Sequence, residues 1–570
     1  MTIVETAKFN IHYSKTKPLN LKHLEETFTP ILVDAEYGYN PFCISQLQNY
    51  NPVYSTFFAM NSKNYDAISF NSKYHMKDLS TVVDAETKNV VEKPVFIKFS
   101  PLLDPLRYMI GKYDLNDTKT KTLPDLSLTN CLPKLADKNN TSYVDNMFSF
   151  LTSKLLHHHG VINCVDYYGS FLGIQRQFKM NISDDLEYLN SSDFFNENVG
   201  KLFKVNNSIQ DEFLNFGTRS NKIKVNISET NHDNLCAVEI EDVLHDNNTN
   251  IENLNTLELE ELVYENVKEN DKELTHSSSS SESDDSEEDE DDEMSEHSLK
   301  EEDGEEDWET EDEEEEEEES CFEEPTVNAY IDNFPVQMIC LEKCDGTLDE
   351  LFIKKKINPE NASAILMQII MTLIIFQKTF HFTHNDLHTN NVMYINTDIE
   401  FIHYKYKNKT YKVPTHGKIF KIIDFGRGIY KYQGKTFCSD SFATGGDAAT
   451  QYNFEPFFNE NKPRLDPNYS FDLCRLGTSI YDFIIEDESE KEMDEFQKTI
   501  YRWCIDDKGK NIMYKKNGEE RYPSFKLYKM IARTVHKHLP EDQLKFSYFK
   551  QYLIENNDVD SIDIDAMPSY

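Results

Sequence analysis

A long run of apolar positions lies at residues 364–376 of this 570-residue chain, with the sequence AILMQIIMTLIIF. About 13 apolar residues fall short of the roughly 20 that a helix needs to cross a bilayer, so the run predicts a helix buried in a protein core. A second helix is predicted over residues 142–158. Its apolar residues recur three and four positions apart, as on one face of a helix: Val144, Met147, Phe148, Leu151 and Leu155.

Shorter runs rich in apolar, β-branched and aromatic residues predict strands. They are VFIK at 95–98, CVDYYGSFLGI at 164–174, VQMICLE at 336–342 and VMYI at 392–395. Residues 400–415 predict a β-hairpin, because two such runs flank the polar turn KNK. The pattern therefore predicts a mixed α and β chain.

A long insertion, residues 178–334, interrupts this pattern, and its segment 277–324 is strongly acidic. Residues 282–324 hold about 29 acids and one lysine, so they contribute roughly −28 to the formal net charge of −44. Such a segment has too little apolar surface to offset the entropy lost on ordering, which predicts disorder. Three interpretations stay open: a tail that binds a basic partner, a set of phosphorylation targets, and a low-complexity loop that adds only solubility. The target serines would be Ser283, Ser286 and Ser295.

Two short motifs supply the groups that phosphoryl transfer needs. His384-Asn385-Asp386 opens the run HNDLHTNN, and Asp424-Phe425-Gly426 follows a strand-like FKII. Asp386 is the candidate catalytic base for an attacking hydroxyl. Asn391, five positions later, and Asp424 are the candidate oxygen ligands of a magnesium ion.

The chain resembles the serine/threonine protein kinases assigned to nucleocytoplasmic large DNA viruses, mimivirus-like ones in particular. The resemblance rests on HNDLHTNNVMY, IIDFGRG, GGDAATQYN, SFDLCRLG and FKLYKMIARTVHKHLP. It implies an α+β bilobal kinase fold that uses ATP and Mg²⁺ and phosphorylates protein hydroxyls. The small β-rich N-lobe would be residues 1–177, the last N-lobe strand and hinge 335–345, and the mainly helical C-lobe 346–570.

The resemblance also implies roles for residues outside the two motifs. Lys98 would bind the nucleotide phosphates, and Asp145, the only acid of the helix predicted at 142–158, would hold Lys98. Asp472 would accept hydrogen bonds from the catalytic loop, in which His384 has a structural role. His388 would face the γ-phosphate. The adenine would meet the hinge at Glu342 and Cys344, after a gatekeeper at Leu341.

Several positions depart from the kinase pattern. No glycine occurs between Gly38 and Gly111, so a glycine-rich phosphate loop is missing before Lys98. Asn385 replaces the usual arginine, and His388 replaces the usual lysine. These departures keep two alternatives open: a small-molecule kinase of the aminoglycoside or choline type, and a pseudokinase scaffold that acts through its acidic loop.

Composition indicates the compartment and the partners to expect for this protein. The ten cysteines form no paired C-x-x-C motif, which is typical of a reducing compartment, and no secretory signal is evident. The acidity disfavours direct binding to nucleic acid or anionic membranes. We therefore expect a cytoplasmic protein, located in a host cytoplasm, a viral factory or a virion, and we expect it to be a monomer. We also expect a protein substrate, and the acidic insertion would attract a basic one.

Overall fold

The structure is a computed structural model, and it describes residues 6–17, 19–114, 117–206, 326–485, 493–555 and 559–570. The acidic segment 277–324, for which the sequence predicts disorder, lies outside the described residues. The fold is mixed α+β, with a strand-rich N-terminal part and a mainly helical C-terminal part.

The strands of the N-terminal part form three antiparallel sheets. They are β1 Tyr13–Lys15, β2 Ile44–Gln48, β3 Ile68–Phe70, β4 Tyr74–Met76, β5 Thr81–Asp84, β6 Val90–Glu92, β7 Val95–Pro101, β8 Tyr167–Asn181, β9 Phe203–Val205 and β10 Asn328–Glu342. The largest sheet has the order β2-β8-β10-β7, with β9 also paired to β10. Lys98 lies opposite Ile339 in the β7–β10 pair, so the central strand β10 fixes its position.

The main sheet extends past the boundaries that the sequence suggested for the insertion. Strands β8 and β10 pair from Tyr167 to Asn181 on one side and from Asn328 to Leu341 on the other. Residues 178–181 and 328–334, which fall inside the predicted insertion, are thus paired strand residues. Polar residues such as Gln175 and Gln177 are buried in the continuation of β8, which explains why hydrophobicity alone ended the strand too early.

Helices dominate the C-terminal part. The helices of the described residues are α1 Lys22–Thr27, α2 Leu32–Tyr37, α3 Pro105–Met109, α4 Pro133–Ala136, α5 Thr141–His159, α6 Leu186–Asn190, α7 Asp193–Asn198, α8 Leu348–Ile353, α9 Pro359–Phe380, α10 Phe471–Ile484, α11 Glu495–Trp503, α12 Lys526–Thr534, α13 Pro540–Gln543 and α14 Ser547–Lys550. Both helices predicted from the apolar pattern are confirmed: 142–158 is α5, and 364–376 lies within α9.

Helix α9 is longer than the apolar run. It spans 22 residues because Asn358 forms a capping box with Asn361 and the helix therefore begins in a polar turn. Its length and composition would suffice to cross a membrane, but 89% of its most apolar window is buried inside the protein. The apolar run is shorter than the helix that contains it, and burial is what identifies α9 as a core helix.

Helix α5 packs on the C-terminal part through a cluster of aromatic rings. The Phe148 ring stacks on that of Phe382 with centroids 4.1 Å apart, and it meets the ring of Phe425 edge-on at 4.7 Å. Phe376 and Phe380 of α9 complete the cluster, at 5.3 and 5.6 Å from Phe148. The core thus connects the helix that carries Asp145 directly to the Asp-Phe-Gly segment.

The remaining strands place the two motifs side by side. They are β11 Gly346–Thr347, β12 Val392–Asn396, β13 Phe401–Tyr406, β14 Lys409–Pro414, β15 Lys418–Ile422, β16 Ile429–Tyr432, β17 Lys435–Cys438, β18 Leu553–Ile554 and β19 Ile562–Asp563. Strands β12 and β15 are antiparallel, with Val392 opposite Ile422. The loop that precedes β12 and the loop that follows β15 therefore meet at the same end of the pair. The hairpin predicted at 400–415 is present as β13 and β14.

Candidate active site

A buried carboxylate holds the His-Asn-Asp loop from behind. Asp472, at the start of α10, accepts the backbone N–H groups of His384 and Asn385, each at 2.9 Å. Burial raises the pKa of Asp472, while the nearby His384 and these two hydrogen bonds act in the opposite direction. The loop backbone is thereby fixed by a side chain almost 90 residues further along the chain.

The side chains of His384 and Asn385 complete this scaffold. The His384 ring lies 2.9 Å, through Nε2, from the carbonyl of Ile423, and its Nδ1 lies 3.3 Å from the N–H of Asp386. Asn385 adopts a left-handed backbone with φ of 63°, and its fully buried amide donates to the carbonyl of Arg427. The strand before Asp-Phe-Gly and the loop are therefore tied to each other.

Asp386 lies between two side chains, those of Tyr528 and Arg427, to which the sequence alone assigned no role. The Tyr528 hydroxyl donates to its Oδ1 at 2.7 Å, and the Arg427 guanidinium lies 3.7 Å from its Oδ2. Burial would raise the pKa of Asp386, but the charges of Arg427 and Arg475 and the Tyr528 hydrogen bond outweigh it and lower the pKa overall. Asp386 is thus a carboxylate at neutral pH.

His388 contacts Asn391 as a neutral acceptor. The Asn391 amide nitrogen lies 2.9 Å from the carbonyl of Asp386 and 3.0 Å from His388 Nε2. Burial lowers the pKa of His388 to about 4, and the opposing effect of Asp386 does not restore it. Both N–H groups of the Asn391 amide are engaged, so its oxygen is the atom that offers lone pairs to a cation.

Lys98 is shared by two carboxylates. Its Nζ lies 2.7 Å from Oδ2 of the buried Asp145 and 2.8 Å from Oδ1 of Asp424. Asp145 also accepts the backbone N–H of Phe425 through Oδ1 at 2.9 Å. A single acid on α5 thus joins the β7 lysine to the Asp-Phe-Gly segment.

The two carboxylates differ in their titration. Partial desolvation would raise the pKa of Asp424, but the charge of Lys98 outweighs this effect and lowers the pKa to about 2. The pKa of Asp145 is raised, because burial and repulsion from Asp424 exceed the attraction of Lys98. Asp424 also has a left-handed backbone, with φ of 61°, and its side chain is 44% exposed. A strained, accessible carboxylate beside a lysine is typical of a functional position.

The predicted hinge residues occupy the end of β10. Lys421, itself only 2% exposed, forms an ion pair with the Glu342 carboxylate at 2.6 Å. The Glu342 carboxylate also accepts the N–H of Asp166 at 3.1 Å. Cys344 is partly exposed, and burial raises the pKa of its thiol to about 12. The Glu342 side chain therefore joins the two parts of the fold, and the backbone N–H groups of Glu342 and Lys343 donate to the carbonyls of Asp166 and Pro94.

The oxygen donors at this site fit magnesium. Asp424 offers a carboxylate and Asn391 an amide oxygen, and Mg²⁺ in proteins is commonly held by one or two such ligands together with substrate phosphates. Among the described residues, no group of three or more His, Cys, Asp or Glu side chains is arranged to hold a metal ion by itself. The protein's own donors would thus form a partial set that a phosphate ligand completes.

Comparison with known proteins gives matches over short segments. The chain is 34% identical to mouse serine/threonine-protein kinase haspin over 124 residues, which are 20% of this chain and 16% of haspin. Bovine haspin is 33% identical over 124 residues, 20% of this chain and 15% of the relative. A candidate serine/threonine-protein kinase of Acanthamoeba polyphaga mimivirus is 41% identical over 70 residues, 11% of this chain and 18% of the relative.

These matches set the limits of the resemblance. The chain spans less than a fifth of the length of each of these relatives, and no family model matches it. Two of the three relatives are mammalian, so the similarity does not single out viral kinases. At this coarse level, the similarities support a relationship to serine/threonine protein kinases.

Proposed function

We propose that this protein is an ATP- and magnesium-dependent serine/threonine protein kinase with a bilobal kinase fold. The observation that carries the proposal is the shared lysine: Lys98 contacts Asp145 at 2.7 Å and Asp424 at 2.8 Å. This contact joins the N-terminal sheet, helix α5 and the Asp-Phe-Gly segment at one point. The similarity to named serine/threonine-protein kinases supports the same class of activity.

One set of residues would bind the nucleotide, and another would bind the acceptor. Lys98 would bind the nucleotide phosphates and Asp145 would hold Lys98 in place. Asp424 and Asn391 would hold magnesium, which when bound to ATP offsets the charge of the phosphates. The main chain near Cys344 would meet the adenine.

Asp386 would bind and orient the acceptor hydroxyl. In the transfer, the serine or threonine oxygen bonds to the γ-phosphorus, the bond to the bridging oxygen breaks and ADP leaves, while the hydroxyl proton passes to Asp386. The Tyr528 hydroxyl donates to this carboxylate at 2.7 Å, in the manner that an acceptor hydroxyl would. A substrate would therefore take over the hydrogen bond of Tyr528.

His388 would act through Asn391 and not as a cation facing the γ-phosphate. A histidine with a pKa near 4 is uncharged at neutral pH and accepts the Asn391 amide N–H at 3.0 Å. This contact would leave the Asn391 oxygen available for a metal ion. We propose this role for His388 in place of the γ-phosphate contact that the resemblance implied.

The test is phosphoryl transfer by the purified full-length chain. Wild type is incubated with labelled ATP and Mg²⁺ and with three acceptor sets: mixed proteins, an aminoglycoside, and choline. Asp386→Asn should lose transfer, whereas the matched control Asp563→Asn, at a surface ion pair with Lys405, should retain it. Transfer only to a small alcohol would replace the proposal by a small-molecule kinase. Absence of transfer together with absence of ATP binding would support the scaffold alternative.

A further inference from the structure

A group of cations lies beside Asp386 and along helix α12, in a chain whose formal net charge is −44. We call it the acceptor-side patch, and its members are Arg427, Arg475, Lys529 and Arg533. Two aromatic rings, Phe525 and Tyr528, stack with centroids 5.3 Å apart and form the middle of the patch.

The patch is continuous with the acceptor carboxylate. The Arg427 guanidinium lies 5.4 Å from the centroid of the Tyr528 ring, and that of Arg475 lies 5.1 Å from it. Arg475 also donates to the Tyr528 hydroxyl at 2.9 Å, and this hydroxyl donates to Asp386. Lys529 extends the patch outward, with Nζ 5.5 Å from the Phe525 ring. A peptide whose hydroxyl reaches Asp386 would therefore lie next to these cations.

Among the described residues, the four cations of the patch outnumber the two carboxylates that contact them. Arg475 donates to the hydroxyls of Tyr528 and Thr478, and Arg533 donates to two backbone carbonyls. Both sets of acceptors are neutral. Burial lowers the pKa of Lys529, and the charges of Arg533 and Lys462 lower it further.

Two carboxylates balance part of this charge. Asp447 binds Arg427 at 2.7 Å, and Asp386 lies 3.7 Å from the same guanidinium. Both act on Arg427, and Asp386 also interacts with the charge of Arg475, so this balance lies at the inner end of the patch. Added negative charge near Lys529 and Arg533 would therefore be attracted, whereas added positive charge would be repelled.

We propose that the acceptor-side patch selects acidic substrates, in which Asp or Glu residues flank the serine or threonine that is phosphorylated. The inference rests on the proposed kinase function and names its substrate class. It reverses the expectation that the substrate is basic, because that expectation considered the charge of the insertion and not the charge around Asp386.

The experiment uses peptides of one length and opposite charge. The acidic peptide is the sequence of residues 279–292, and two matched peptides carry Lys, or Asn and Gln, at every acidic position. Binding to the full-length chain is measured by fluorescence anisotropy, and transfer from Mg²⁺-ATP is measured separately. The charge-reversal variant Lys529→Glu/Arg533→Glu is compared with Lys22→Glu/Lys63→Glu, which changes the net charge equally at exposed lysines of the N-terminal part. Thermal unfolding of each variant reports whether it folds.

We expect wild type to bind and phosphorylate the acidic peptide at least tenfold better than the basic one, as judged by Kd and kcat/KM. The reversal at residues 529 and 533 should remove or invert this preference with KM for ATP unchanged, whereas the control reversal should not. The preference should also shrink in high salt, because the screening length falls from about 8 Å at 0.15 M to about 3 Å at 1 M.

The outcomes separate the two proposals. If wild type phosphorylates the basic or neutral peptide as well as the acidic one, or if both reversals act alike, the acidic selection is wrong while the kinase function stands. If the acidic peptide binds through the patch but no peptide or protein is phosphorylated, the surface stands and the kinase function is wrong.

Discussion

Replacing Asp145 by Asn tests whether the contact with Lys98 serves the nucleotide. Asn keeps the size of the side chain and can still accept the Phe425 N–H, but it removes the charge that faces Lys98 at 2.7 Å. A hydrogen bond to a charged group contributes about 1.5–3 kcal/mol. At about 1.4 kcal/mol per tenfold, its loss should lower kcat/KM for ATP by about 10- to 150-fold.

The assay is steady-state transfer with varied ATP, together with thermal unfolding. The matched control is Asp34→Asn, because Asp34 is also buried and binds a lysine, Lys179, at 2.8 Å. Both variants should lose a similar amount of stability, but only Asp145→Asn should lose activity toward ATP. Wild-type kcat/KM in Asp145→Asn, alongside an inactive Lys98→Met, would show that Asp424 alone holds Lys98 and would refute the role of Asp145. Equal losses of activity in both variants would mean that stability, and not the nucleotide contact, is the cause.

Four further results are expected. Asp386→Asn should lower kcat by orders of magnitude and leave ATP affinity nearly unchanged, because the Asp386 carboxylate faces the acceptor. Rapid-quench kinetics and an ATP titration measure these two quantities, and a near-normal kcat would contradict the role of Asp386. Asp424→Ala should weaken magnesium-dependent ATP binding more than Asn391→Ala, because a carboxylate supplies charge and an amide only a dipole. Calorimetry with and without Mg²⁺ measures this binding, and equal ATP affinities of the two variants would contradict the prediction. Between about pH 6.5 and 4, wild type should lose more stability on acidification than His388→Gln. The reason is that the histidine of the unfolded chain has a pKa near 6.5 and binds protons before the folded one, whose pKa is about 4. Urea unfolding at several pH values measures this, and an equal loss of stability in both proteins would argue against it. Deleting residues 277–324 should leave the melting temperature nearly unchanged. The entropy of loop closure varies only logarithmically with loop length, so the deletion should change the free energy of unfolding by about 1 kcal/mol or less. A fall of many degrees would mean that the segment is part of the fold.

Local pattern accounts for the elements that carry the site. The apolar spacing of 142–158 predicted α5, and the β-rich run at 95–98 predicted the strand of Lys98. These predictions succeed because helical and strand periodicity follow from neighbouring residues alone. The order of the His-Asn-Asp and Asp-Phe-Gly motifs likewise identified the residues that the β12–β15 pair places at one end.

Other features depend on residues that are far apart in sequence. Tyr528 reaches Asp386 across 142 positions, and no local motif marks it as part of the site. The Glu342 carboxylate is bound by Lys421, a pairing that no local pattern indicates and that the fold creates by bringing Lys421 to the end of β10. Such pairs arise only when the packed core brings distant segments together.

The sequence by itself determined the chemical groups, their order and the helices and strands that present them, because each depends on local periodicity and residue type. Only the tertiary structure decided their charge states and partners. His388 is neutral because surrounding segments bury it, and Asp386 stays ionised because Arg427 and Tyr528 approach it. A pKa and an ion pair depend on the distance to groups that folding brings close, and that distance is set by packing and not by position in the chain.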